Sequence, residues 1–479
     1  MAVSVKSSIT PFVLIALLLI SGCALECPSG QVEENGVCVP KAKPEPPSDN
    51  NGIDGDIIVD GDMDSEQSGE DDSEVINTEF PEIDQWRSET IPGVDCYEGF
   101  HHALVDSTNK IYVVYFESNY EPGNAKIKVA TYESGEWSIE TVENGLEFSY
   151  RYAAFIDAND VLWIAWIQRN AQIVNIINKS GGVWSTVASK DLSGEVNPYI
   201  DLFIDQQNIR HLAVQSGSNG GLVEYLRSED ESGQTWTSEI PFTSTEDLNY
   251  GLRPEVLSDD NGNVYIFHYG VGAGINLGYL TATVKTNSAW QNETVLSNVN
   301  TASSIGTTVI NGRPAVLSCD EEENNLQLLT LNADRTWGSQ LLLTHEESSI
   351  IDQVQLTGPD TNGYLHATYQ LCEEKGEKMC ELIYTRGALD KWQKLTLLTR
   401  SNNKTKETAQ DTLRSTKMVL DKNNYVHIFY NNFVDKTITH LTSAPMPGGE
   451  GEGEGEGEGE GEGEGEGEGE GEGEGEAAE

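Results

Sequence analysis

The chain alternates between short runs of turn-forming residues and runs of apolar residues, and one such unit recurs. Its clearest copy is Asp421-Lys-Asn-Asn424-Tyr-Val-His427-Ile-Phe-Tyr430. An Asp is followed by Asn, Gly or Asp at +3, by His, Tyr or Trp at +6, and usually by an aromatic residue or His at +9. The pattern starts again at Asp106, Asp157, Asp205, Asp259 and Asp360, with copies roughly 48 to 61 residues apart and one gap of about two periods. Ile310-Asn-Gly-Arg-Pro-Ala-Val-Leu fills that gap as a shortened copy. Asp, Asn and Gly tolerate turn dihedrals, while the β-branched and aromatic residues after them favour strands, so each copy predicts a turn feeding a strand. Runs such as Ile111-Tyr-Val-Val-Tyr-Phe and Val161-Leu-Trp-Ile-Ala-Trp are apolar on both faces and must be covered on both sides. In an all-β chain, a repeat of this length predicts a β-propeller whose radial four-stranded blades sandwich one another's inner strands.

A second periodic mark agrees. Trp86, Trp137, Trp184, Trp236, Trp290, Trp337 and Trp392 recur about every 50 residues, each where a blade's outermost strand should begin. Counting them predicts seven blades within residues 84–444. Trp86-Arg-Ser-Glu-Thr-Ile has no blade before it, so it is expected to be the outer strand of the last blade, whose other strands lie between Arg414 and Thr442. That closure leaves no exposed sheet edge.

Outside the repeats the composition changes. Residues 1–22 combine Lys6 with the apolar stretch Pro11-Phe-Val-Leu-Ile-Ala-Leu-Leu-Leu-Ile and read as an export signal. Ile20-Ser21-Gly22-Cys23 resembles the bacterial lipobox, which implies lipidation of Cys23. With Ala24 next, the resemblance implies anchoring at the outer membrane, facing the periplasm or the cell surface. Export permits disulfides. In residues 23–40, Cys27 and Cys38 flank a loop with Asn35-Gly36, a strong hairpin signal, and are expected to pair; Cys372 and Cys380 flank a second short loop and are expected to pair in the same way, and Cys96 and Cys319 are left over. Residues 41–83 are rich in Pro, Asp, Glu, Gly and Ser and read as a disordered acidic linker. Asp54, Asp56, Asp60, Asp62 and Asp64 lack the Gly turn and closing Glu of a calcium loop, and Asp259-Asp-Asn-Gly-Asn263 reads as a hairpin turn, so no cofactor is expected and calcium stands only as a weak alternative. Residues 445–479 carry a Gly-Glu repeat that has nothing to bury and reads as a disordered tail.

Ser228-Glu-Asp-Glu-Ser-Gly-Gln-Thr-Trp236 resembles the Asp-box of sialidases and other BNR-repeat propellers, with one extra residue before the Gly. The resemblance covers one hairpin. It implies a structural role, and Leu252-Arg253-Pro254 lacks the Ile of the sialidase Arg-Ile-Pro signature.

His211, His366 and His427 share the +6 position with Tyr and Trp, which points to one structural hydrogen bond to the turn Asp per blade, similar to the Asp/His pairs of WD-repeat propellers. No P-loop, dinucleotide fingerprint or nucleophile elbow is present. The candidate ligand site lies where the innermost strands begin. Arg151 and Arg253 stand six residues before a turn Asp and Arg414 seven before, with Tyr199 and the His101/His102 pair at corresponding places. Guanidinium groups beside tyrosines suit a sugar or an acidic peptide, so Arg151, Arg253, Arg414, Tyr199 and His102 are the expected ligand-binding residues. The alternative is that the arginines pair with Asp201 and Glu255.

The formal net charge of -50 argues against nucleic acid as a partner. The sequence as a whole predicts an exported, membrane-anchored, monomeric lipoprotein whose propeller binds a glycan or protein. The alternatives are a sialidase-like glycoside hydrolase or lyase, and a structural surface scaffold. No catalytic residue and no metal ligand is assigned.

Overall fold

The turn Asp organises each repeat locally. Oδ1 of Asp205 accepts the amide hydrogens of Gln207 and Ile209, at 2.9 and 2.8 Å. Asp157, Asp259, Asp360 and Asp421 do the same two and four residues on. The chain then reverses through a residue of positive φ at +3: Asn109 at 68°, Asp160 at 60°, Asn208 at 60°, Gly262 at 75°, Gly363 at 83° and Asn424 at 64°. Asn, Asp and Gly recur at +3 because these residues tolerate the left-handed region. The second oxygen of the Asp receives the +6 side chain. Trp163 Nε1 reaches Asp157 at 2.9 Å, His211 Nε2 reaches Asp205 at 3.0 Å, and His366 Nε2 reaches Asp360 at 3.2 Å. The +6 residue thus has the structural role read from its repetition. It lies on the second strand of each sheet, one position out from the axis.

In a computed structural model, residues 31–34 and 37–40 are described, as is 86–445 except the connections at 97–100, 118–122, 147–151, 169–171, 193–195, 217–220, 244–247, 273–277, 287–288, 300–303, 321–324, 345–348, 374–378, 389–390, 402–414 and 433–435. The export signal, Cys23, Cys27, the acidic linker, the Gly-Glu tail, Arg151 and Arg414 lie outside the described residues. In the N-terminal unit, Gln31–Glu34 pairs antiparallel with Val37–Pro40 around Asn35-Gly36, the hairpin expected there.

The remaining described strands form antiparallel sheets with no helix among them. Four-stranded sheets span residues 101–146, 152–191, 196–243 and 349–401, and a fifth joins Thr416–Leu420, Val426–Asn432 and Thr437–Thr442 to Arg87–Thr90. Arg87 sits opposite Thr442 and Thr90 opposite Thr439, so the start of the folded region completes its last sheet as expected.

The count of seven separate blades is corrected. Five sheets are separate and four-stranded, whereas residues 248–344 make one eight-stranded sheet. Its two halves join because Val299, on the outer strand of the first, pairs with Asp320 on the second strand of the other. The shortened copy lies in the second half, where Asn311-Gly312 turns between Gly306–Ile310 and Arg313–Asp320.

The first strand of each module is innermost, and each packs beside the next. Thr416–Leu420 returns to lie beside His101–Val105, so the array closes on itself as a propeller. The cores lie between sheets. One combines Trp163, Ile167 and Val174 with Leu202, Leu212 and Trp236; another combines Phe429 and Ile438 with Val113 and Tyr115. Full burial of each such side chain contributes about 1.5–3 kcal/mol, which makes every sheet depend on its neighbours.

The tryptophan period joins the outer edges. Trp137, Trp290 and Trp337 donate their indole N–H to Glu89, Glu239 and Glu293 on the preceding module's outer strand. The Cys372–Cys380 disulfide forms across paired positions, while Cys96 and Cys319 are buried in different cores and not bonded to each other.

Candidate functional site

A strand exposes alternate residues to alternate faces, so a ring of inner strands presents one row of side chains to the axis. Here that row surrounds a cavity of about 540 Å³. Six successive strands other than that of Ala154 contribute a polar side chain: His102, Asp201, Glu255, Thr307, Gln355 and Lys417. All six are part-accessible, which fits side chains facing an axial space within the protein. The apolar wall includes Phe155 and Phe203, whose rings meet edge to face at 5.3 Å.

Several of these groups also tie neighbouring modules together. Asp201 Oδ2 accepts the Val256 amide at 2.8 Å, and Glu255 Oε2 accepts the Thr307 hydroxyl at 3.0 Å. His102 Nε2 lies 2.9 Å from the Tyr152 carbonyl and therefore carries a hydrogen, which it donates. Enclosure by protein pushes both carboxyls above their usual range. For Glu255 the neighbouring Asp201 adds to the rise, while Lys417 opposes it for both. Burial, the larger cause, thus works against both carboxyls being ionised at once.

The expected site residues divide. Arg253 and Tyr199 come together, the guanidinium carbon 5.7 Å from the ring centre. Arg253 has a φ of 51° within an irregular stretch of pairing between Leu252 and Glu255, and neither it nor Tyr199 belongs to the cavity wall. His102 does line the cavity. Asp201 accepts the Val256 amide and Glu255 the Thr307 hydroxyl, and Lys417 supplies positive charge near both.

Glu255, Lys417, Thr307 and Gln355 were not expected as site residues. A signal existed: His102, Asp201, Glu255 and Lys417 each stand four residues before their turn Asp, in a column whose residue type changes from copy to copy. Among the described residues, no group of three or more His, Cys, Asp or Glu is placed to hold a metal ion.

The Asp-box hairpin connects Leu222–Ser228 to Trp236–Thr243, two strands out from the axis. Its Gly233, at a φ of 68°, lies against Trp163 of the preceding sheet. Arg210 crosses that interface, 4.0 Å above Trp163 and 3.4 Å from Asp157 Oδ2, and donates to the carbonyls of Asp230 and Glu231. These contacts hold the hairpin of residues 228–236 against the preceding sheet.

No protein-family model and no curated protein matches the chain. Among solved structures it is similar to an ulvan lyase from a new family of polysaccharide lyases, bound to a GlcA(1-4)Rha3S unit. The identity is 11% over 74% of this chain and 95% of that one, with a TM-score of 0.46. It is similar to the six-bladed, fucose-recognising lectin of Aleuria aurantia, at 11% identity over 61% and 90% of the two chains and a TM-score of 0.38. A Hadza microbial sialidase matches at 12% identity over 71% and 64%, with a TM-score of 0.36. At these values no site residue carries over, and the chain is identified as an all-β propeller by its own strand pairings.

Proposed function

We propose that this propeller is a binding module that seats the end of a carbohydrate chain in its axial cavity. The supporting observation is the wall itself: donors and acceptors from six inner strands, interleaved with aromatic and aliphatic groups, around about 540 Å³. Small-ligand sites typically have this size and this mixture of apolar surface with a few placed polar groups. Arg253 and Tyr199 form a second platform for the same ligand, with Arg151 and Arg414 kept as further expected ligand contacts. Lipidated Cys23 and the acidic linker at residues 41–83 display the monomeric domain from the bacterial outer membrane, with residues 84–444 as the folded region. Cys27 and Cys38 pair in the short segment next to the anchor.

A glycan array probed with the full chain tests this. A set of related glycans should bind, and Thr307→Val with Gln355→Ala should remove that binding while the melting temperature stays near that of the parent. A flat array contradicts the proposal.

One observation favours a second reading, a glycoside hydrolase: Asp201 and Glu255 occupy the same cavity on adjacent inner strands, as an acid and its partner carboxylate do. Release of reducing sugar from a bound glycan would distinguish it from binding alone.

A further inference from the structure

The cavity wall is lopsided in charge. Asp201, Glu255, Asp259 and Asp260 line it, and Lys417 is the single Lys or Arg among the described residues that do. Asp259 is occupied by its turn amides and by Tyr265, and Asp260 at the rim accepts from Gln206 at 3.0 Å. Asp201 and Glu255 are enclosed by protein, and Lys417 is close enough to act electrostatically on both. A concave, partly apolar wall carrying this excess of carboxyls attracts cations more strongly than an open surface would. Among the described residues no group of three or more His, Cys, Asp or Glu is placed around a metal position. An alkylammonium needs no fixed coordination shell, only acceptors within hydrogen-bond reach and an apolar surface for its carbon frame. Phe155 and Phe203 supply that surface, and Thr307 and Gln355 supply partners for hydroxyls.

We infer that the carbohydrate seated in the axial cavity bears a primary ammonium group, an amino sugar rather than a neutral or uronic one. This rests on the reading of the cavity as a carbohydrate site. Lys417 balances one of the two carboxylates, and the ligand's ammonium balances the second, which ionises as the ligand enters. Because burial holds protons on the Asp201 and Glu255 pair, entry of the ammonium releases a proton to solvent.

Titration calorimetry of the full chain near neutral pH tests the inference. The probes are a glucosamine tetramer, the corresponding N-acetylglucosamine tetramer and a glucose tetramer. The amine should bind on the order of tenfold more tightly than either uncharged probe, as expected for one added buried charge contact. Its binding heat should change between buffers of different ionisation enthalpy in the direction of proton release. Glu255→Gln should remove the preference. Asp260→Asn, at the exposed rim, should weaken the amine about threefold through slower association, which keeps the test open if the first variant folds poorly. Equal binding of all three probes, or preference for an uncharged one, overturns the amine inference and leaves carbohydrate binding standing. Binding of none overturns both.

Discussion

Arg87 Nε donates to the Ala444 carbonyl at 2.8 Å, joining positions 357 residues apart in the chain. Beside it, Glu89 Oε1 accepts from His440 Nδ1 at 2.9 Å and from Trp137 Nε1 at 3.1 Å. One carboxylate therefore fastens the closing strand both to its own sheet and to the first sheet. The closure is also proofed within the last sheet, where His427 Nδ1 and His440 Nε2 lie 2.9 Å apart.

Glu89→Ala removes both bonds and leaves the buried His440 donor without its acceptor. A loss of about 1–3 kcal/mol is expected. Urea unfolding should show the loss as a lower midpoint with an unchanged slope; an unchanged midpoint would mean the closing strand contributes little.

Stability should pass through a maximum in pH. On the acid side, the His440 hydrogen bond holds Glu89 below its usual range, and burial takes His440 down to about 4. Both groups bind more protons when unfolded, so their contribution is present at neutral pH and is lost as pH falls through these depressed values. With rising pH the sign reverses for a second pair, over a window that runs from the ordinary carboxylate range to about 8. Asp201 and Glu255 bind more protons when folded, so their contribution is complete below the ordinary carboxylate range and is lost as pH rises through their raised values. Thermal melts across pH should show both limbs. Glu255→Gln should flatten the higher-pH limb alone, and a higher-pH limb unchanged in that variant would contradict the assignment.

Asp205→Ala deletes an acceptor for two turn amides and for His211, whose other nitrogen lies 2.6 Å from the Tyr225 hydroxyl. A cost of about 2–4 kcal/mol is expected, because a buried donor is left unmade. Asp205→Asn keeps the amide contacts and should recover part of that loss in the same denaturation series.

Gly233→Ala places a methyl 3.1 Å from the Trp163 ring on a backbone at a φ of 68°. Strain and contact together should destabilise by about 1–2 kcal/mol. Indole fluorescence should shift before global unfolding if the Asp-box hairpin lifts from the preceding sheet, and a neutral variant would show that the interface yields.

Much of the fold was legible because the same physical task recurs in every module. The turn Asp, the positive-φ residue at +3 and the +6 donor repeat because each copy makes the same bonds, and Trp137, Trp290 and Trp337 repeat because each bonds the module before it. Closure by Arg87–Thr90 followed from a tryptophan left without a module. The join between Val299 and Asp320 was not legible, since it rests on one pair whose contact depends on how two modules tilt. The site was least legible for the opposite reason. Glu255 and Lys417 do different things at equivalent places, so the column that faces the axis is marked by position alone and by no repeated residue type. Arg253 drew attention by type and position, yet the irregular pairing around it places it against Tyr199 rather than on the cavity wall.

The most direct measurement is a crystal structure of the chain with a glycan found on the array. The account predicts saccharide density inside the ring of inner strands, within hydrogen-bond reach of Glu255, Thr307 and Gln355. Density confined to the outer face of the sheets, with the axial cavity filled by water alone, would contradict it.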